Sequence, residues 1–184
     1  MPRTWQTDRL LLRQLGPVAA AAVRDYGLRS KASHSPWDPV RPADYWDLPV
    51  VAERLHVQLI EAELDRSLCT YLSAKAAPEH VIGALNLRNI TRGALMSCVV
   101  GYGLAPEAVG NGFMTEAIDR IAAVAFDELG LHRIEINIVP RNARSIAVAE
   151  RCGFTREGLS RRYLKIAGRW EDHVRYAKLN EAEL

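Results

Sequence analysis

Two spacings of apolar residues run along this chain. Strand-like runs occupy Thr7–Leu15 (TDRLLLRQL), Leu68–Ala74, His80–Ile90, Leu95–Leu104, Arg133–Val139, Thr155–Ile166 and Arg169–Leu179. The alternation is plainest in Arg133–Val139 (RIEINIV). Ala77-Pro78-Glu79, Thr91-Arg92-Gly93 and Ala167-Gly168 break neighbouring runs at short intervals, which predicts antiparallel hairpins. A helical period appears elsewhere. Met114, Ala117, Ile118, Ile121, Ala122, Ala125, Phe126 and Leu129 form one continuous stripe, and Gly130 stands just past its end. Shorter helices are expected over the Ala-rich Val18–Leu28, over Val50–Asp65, and over Asn142–Cys152, where Gly153 stops the pattern. Arg29–Asp47 carries Pro36, Pro39 and Pro42 among Trp37, Tyr45 and Trp46, and proline at that density predicts an irregular loop. The resulting order, β-α-α-β-β-β-α-β-α-β-β, places a strand–helix–strand unit among hairpins. It implies a mixed sheet layered with helices, an α/β (α+β) domain over residues 1–184.

Composition narrows the class. The 184 residues are 48% hydrophobic and 25% charged, as in a globular chain with a real core. A formal net charge of +2 gives no reason to expect a nucleic-acid partner. Arginines and lysines crowd residues 156–175, while Glu53, Glu61, Glu63 and Asp65 gather in the first half, where they suit a basic protein tail. Cys69, Cys98 and Cys152 have neither metal-ligand nor redox spacing, so no metal is expected. The N-terminus lacks a signal-peptide run, and no stretch approaches the ~18 apolar residues of a membrane span. A cytoplasmic protein without a membrane partner is expected.

The chemistry points to the segment before the striped helix. Gly110-Asn111-Gly112 allows a tight turn that brings backbone N–H groups close to a ligand, and the helix that follows directs its free N–H groups and positive dipole end there. This suits a pyrophosphate, although a plain helix-opening turn has the same sequence. A P-loop would need Gly-Lys-Ser/Thr, and a Rossmann site a third glycine; neither is present. After the next strand comes Pro140-Arg141-Asn142-Ala143-Arg144-Ser145, with Asn142 suited to cap a helix and Ser145 in its first turn.

These segments resemble the GNAT superfamily, and specifically its RimJ/RimL branch of protein N-terminal acetyltransferases. The resemblance runs through TDRLLLR, SPWDPVR, NLRNITRGALMSCVVGYGL, VGNGFMTEA, HRIEINIVPRNARSIAVAERCGF and EGLSRRYLKIAGRWEDHVRYA. It implies a mostly antiparallel, splayed sheet, acetyl-CoA as cosubstrate, and direct transfer to an amine such as a ribosomal protein's N-terminus. It also implies cofactor contacts. Tyr102, Gly103 and Leu104 would pair with the pantetheine amides, and Val109, Gly110, Asn111, Gly112, Phe113 and Met114 would hold the pyrophosphate. Asn142 would touch the cofactor, and Ser145 would protonate the departing thiolate. The strand glutamate of many relatives is replaced here by Val99.

Acetyl transfer requires a neutral amine, an oxyanion donor and an acid. The backbone near Tyr102 or Gly103 is the candidate donor, Ser145 the first candidate acid and Tyr163 the second. Glu53, His56 and His80 are candidate bases acting through water. Trp37, Tyr45 and Trp46 are candidates to line an acceptor groove, with Asn86 beside it. Asp172 and His173 alternate on a strand and form no dyad. A small-amine acetyltransferase would share every cofactor feature, and a non-catalytic acyl-CoA-binding domain would account for Val99. Association of two copies is compatible with the pattern.

Overall fold

The computed structural model describes residues 2–183; Met1 and Leu184, the ends of the span expected as one domain, lie outside the described residues. The chain forms β1 (Thr4–Gln6), β2 (Leu10–Arg13), α1 (Ala20–His34), α2 (Leu48–Glu63), β3 (Leu68–Ala74), β4 (Val81–Thr91), β5 (Ser97–Leu104), α3 (Phe113–Ala123), β6 (Arg133–Ile138), α4 (Ala143–Arg151), β7 (Thr155–Ile166) and β8 (Arg169–Leu179). The strands make one sheet in the order β1-β2-β3-β4-β5-β6-β8-β7. Every pairing is antiparallel except β5 with β6. This is the mixed, mostly antiparallel sheet that the hairpin breaks predict.

Three expectations need correction. The strand expected over Thr7–Leu15 narrows to β2, because the chain turns at Thr7, whose N–H donates to Leu10 O at 3.1 Å, and a further strand, β1, comes before it. The preceding β1 is short and polar but anchored by Trp5, 5% exposed, whose indole donates to Glu128 at 3.0 Å. Next, α1 runs beyond Leu28 to His34. Gly27 within it is where the Trp46 ring packs, so a residue that weakens an isolated helix is required here by tertiary contact. Lastly, the long striped helix is α-helical only to Ala123, and Val124–Glu128 forms a π-helical turn.

Each face of the sheet has its own core. Leu72, Leu85, Leu87 and Ile134 meet Ala117, Ile118 and Ile121 of α3 on one face. On the other, Tyr71 and Val81 meet Val23, Tyr26, Val51 and Leu55 of α1 and α2. Those two helices lie over β3 and β4. Farther along the same face, β6 and β8 carry Glu135, Asn137, His173 and Arg175. Among the described residues, no helix is long and apolar enough to cross a membrane.

Candidate active site

Strand β5 parts from β6 part-way along. Their last register pair is Val99 with Glu135, yet β5 continues to Leu104 and β6 to Ile138. A wedge therefore opens between the carboxyl ends of the one parallel pair, a place where open sheets collect ligands. The Ala105 N–H donates toward β4, to Ile82 O at 2.8 Å. By strand alternation the peptides of Tyr102 and Leu104 then face the wedge.

The glycine turn forms its rim. Gly110 has φ 90° and Gly112 φ 75°, backbone that L side chains rarely adopt, and nothing lies within 4 Å of where a Cβ on Gly110 would be. Helix α3 starts at Phe113 without a side-chain cap. Its first backbone bond runs from Glu116 N to Gly112 O at 3.1 Å. The N–H groups ahead of that bond are uncapped donors at the positive end of the helix, a cradle whose chemistry fits a pyrophosphate.

Arg9 fastens this turn, a role absent from the sequence reading. Its Nη1 donates to Asn111 O at 3.0 Å, its Nε donates to Glu116 at 2.7 Å, and its guanidinium lies 4.7 Å from the Phe113 ring. Thr7 also donates to Glu116. Burial alone would raise the Glu116 carboxyl, but the Thr7 hydroxyl, the Arg9 peptide N–H and the Arg9 guanidinium outweigh it and hold the group below its usual range. The signal was available in the TDRLLLR segment, but only the fold shows its partner to be Glu116.

Across the wedge, Asn142 caps α4 by accepting from Ser145 N at 3.2 Å. The Ser145 hydroxyl lies 2.7 Å from the Tyr102 hydroxyl, which is also 3.1 Å from Ser145 O. Burial pushes Tyr102 up to about 12 against the pull of its Ser145 bond. The phenol is therefore protonated at neutral pH and within hydrogen-bond reach of Ser145 Oγ.

On the α1–α2 face the floor of the cleft is glycine backbone, overlaid by the His34 ring at Gly103. Gly101 pairs with Asn86 and Gly103 with Ala84, so two alternate positions of β5 carry no side chain. The Asn86 amide bridges Arg88 Nη2 (3.2 Å) and Leu85 O (3.1 Å). The loop after α1 forms a wall. Arg141 lies 5.4 Å from the Trp37 ring and pairs with Glu171 at 2.8 Å, while Ala167 N, at the tip of the β7–β8 hairpin, donates to Asp38 O at 2.9 Å. A strap thus runs from the end of α1 to that hairpin.

The other candidates are dispersed. Tyr45 lies 4.1 Å from the Arg54 guanidinium and 4.9 Å from Trp46, so both rings anchor the loop on the α1–α2 pair. Tyr163 is 42% exposed, with its ring 5.6 Å from His173. Glu53 and His56 are exposed on α2, and His80 faces Glu107 at 3.7 Å; none of the three joins Ser145. Glu135 is the register partner of Val99, where the two strands part. It is held by Arg133 at 2.7 Å and Arg175 at 2.9 Å. Burial would raise its carboxyl, but these two arginines bring it below the usual range. Burial pushes the Cys98 thiol up to about 12 and Cys152 up to about 11, so neither is a thiolate nucleophile at neutral pH.

A family model described as an acetyltransferase (GNAT) domain matches residues 9–155. The chain belongs to the GNAT acetyltransferase family. It is accordingly an N-acetyltransferase that uses acetyl-CoA. Among its relatives, the probable N-acetyltransferase YjcK of Bacillus subtilis is 46% identical over 105 residues, 57% of this chain and 58% of that protein. The ribosomal protein uS5-alanine N-acetyltransferase of Escherichia coli is 31% identical over 91% of this chain and 86% of its own length. In the solved structures, RimJ of Mycobacterium smegmatis in complex with CoA-disulfide superposes with a TM-score of 0.88 at 31% identity, covering 94% of this chain and 83% of that one.

Proposed function

We propose that this protein, acting as one domain in the cytoplasm, acetylates the N-terminal α-amine of a protein, with ribosomal proteins as the leading class of acceptor. The observation that carries this reading is the pair where β5 and β6 part: Val99 cannot take a proton, and both oxygens of its register partner Glu135 are engaged by arginines. A lysine, with a reference pKa near ~10.4, needs a stronger base than an α-amine near ~7.7–8.0. A polyamine is disfavoured as well, because Arg88, Arg141 and Arg175 lie around the cleft. Relatives named for acetylating a ribosomal protein's alanine support the same acceptor class.

Acetyl-CoA, when bound, supplies the acetyl group as a thioester. The backbone of Val109 through Met114 holds its pyrophosphate, with Arg9 fixing the turn, and the wedge-facing peptides beside Gly103, those of Tyr102 and Leu104, accompany the pantetheine. Asn142 orients Ser145, which donates a proton to the sulfur and is resupplied by Tyr102. The floor at Gly101, with Asn86 and Trp37 at its sides, admits the acceptor chain, while Tyr163 stands farther out on the hairpin. The test is kcat/KM on an alanine-initiated ribosomal-protein peptide, on the same peptide with a blocked α-amine and one lysine, and on spermidine. The first is expected to exceed the others by at least ~100-fold, within the ~10²–10⁴ range of proton-transfer effects. Comparable values for spermidine would sink the α-amine reading. In the same assay Ser145→Ala lowers kcat by roughly tenfold or more; an unchanged rate removes Ser145 from the chemistry.

A further inference from the structure

Among the described residues, one imidazole lies against the backbone of the wedge, and nothing above gives it work. His34 closes α1, and its Nε2 is 2.8 Å from Leu104 O. A carbonyl oxygen can only accept, so Nε2 carries the hydrogen and Nδ1 of the neutral ring holds the free lone pair. No protein partner occupies Nδ1 among the described residues. The ring lies on Gly103: a Cβ there would meet His34 Cε1 at 2.8 Å and Nδ1 at 3.4 Å. Gly103 thus makes the room that His34 fills. His34 is partly exposed.

We propose that His34 is the proton acceptor for the acceptor amine. The inference rests on the transfer reaction and on entry from the α1–α2 face. The opposite face of the sheet is filled by α3 and its core, so an amine reaches the wedge beside Gly101, next to the His34 ring that lies on Gly103. His34 Nδ1 takes one proton from the ammonium and later releases it to solvent. The neutral nitrogen forms the C–N bond to the acetyl carbon as the C–S bond breaks. Of the nitrogen's two remaining protons, one stays on the amide and the other passes to solvent water, from which the Tyr102–Ser145 pair regains the proton it gives to sulfur.

Around the ring, Tyr26 on the same helix lies 6.1 Å away edge-on and donates to Gly103 O at 3.1 Å. Burial above all, and Asp38 after it, raise the Tyr26 phenol, so it stays neutral and does not compete for the proton. Asp38 follows in the strap, its N–H donating to His34 O at 3.1 Å. Strand β5 presents only backbone to the ring, and Arg88 lies beyond it beside Gly101. The arrangement gives the base a fixed tautomer, a carbonyl to orient it and one open nitrogen.

The test compares wild type with His34→Gln, whose amide can still donate to Leu104 O but has no basic nitrogen. On whichever amine the wild type prefers, kcat/KM is expected to fall about tenfold or more at pH ~7. The gap should narrow to within about threefold once the pH exceeds the acceptor's own pKa, ~7.7–8.0 for an α-amine. CoA affinity by calorimetry stays within about twofold, and ¹⁵N spectra of the free protein show His34 protonated at Nε2 and bare at Nδ1. An equal loss at every pH, no loss, or the opposite tautomer would overturn the assignment. A wild-type preference for lysine or spermidine defeats the α-amine reading instead. The His34 comparison still decides its own question there, with the crossover moved to that amine's pKa.

Discussion

Tyr102 is where strand chemistry and proton chemistry meet. Its backbone lines the wedge, and its hydroxyl sits 2.7 Å from the Ser145 hydroxyl. One phenolic proton cannot serve both Ser145 oxygens, so in the resting arrangement Tyr102 donates to Ser145 O while Ser145 Oγ donates back to the phenol. Turning the Ser145 hydroxyl toward a departing sulfur lets Tyr102 donate to Oγ instead. Tyr102→Phe should therefore lower kcat about tenfold while leaving the KM for acetyl-CoA within about twofold, as steady-state kinetics can check. A fall in kcat/KM for acetyl-CoA with kcat intact would mean that the ring only shapes the pantetheine channel. The sequence marks residue 102 only through its Gly-Tyr-Gly setting. Its pairing with a hydroxyl 43 positions away is set by how far β5 and α4 stand apart, a distance that no local pattern encodes. His34 was illegible for a related reason: the proline-rich stretch that holds it reads as loop, and the contacts of the added turns of α1, Arg29 to Val81 O and His34 to Leu104 O, come from distant strands.

At the level of elements, the turn that opens α3 was the most legible part of the site. Two glycines before a stripe specify both a left-handed backbone and an uncapped helix start. Its fastening to β2 through Arg9 and Glu116 was not legible, since the charges lie more than 100 residues apart. Gly112→Ala forces a side chain into left-handed backbone at about 1–2 kcal/mol, readable in chemical denaturation. It should also raise the KM for acetyl-CoA severalfold, with kcat little changed. The carboxylates of Glu116 and Glu135 are both held below their usual range. Groups lowered by folding stabilise the fold above the ordinary glutamate value near ~4.3, and that contribution is lost as pH falls through it. The melting temperature should accordingly drop on acidification below pH ~4.3, and less steeply in Glu135→Gln. A flat acid limb in the wild type would contradict the arginine pairing.

In the molecule as a whole, the hairpin breaks account for the β3-β4-β5 and β7-β8 neighbours, which is why strands from Leu68 onward could be read with little error, whereas the seat of β8 between β6 and β7 is set only by the fold. The strap could not. Trp37 meets Arg141, and Asp38 meets the hairpin tip, only after the chain has closed on itself. Arg141→Ala removes a pair that is 48% exposed on the arginine side, so stability should change by no more than ~1 kcal/mol. KM for the acceptor peptide should rise about threefold or more while CoA affinity holds, because only the wall of the cleft is loosened. The wedge also has two doors. One opens at the glycine turn, the other under the strap on the α1–α2 face, and Cys98 and Cys152 are too deeply buried to store an acetyl group between visits. Traffic through such a room does not need to alternate. Both guests can be present together, and initial-rate lines plotted against either should intersect instead of running parallel.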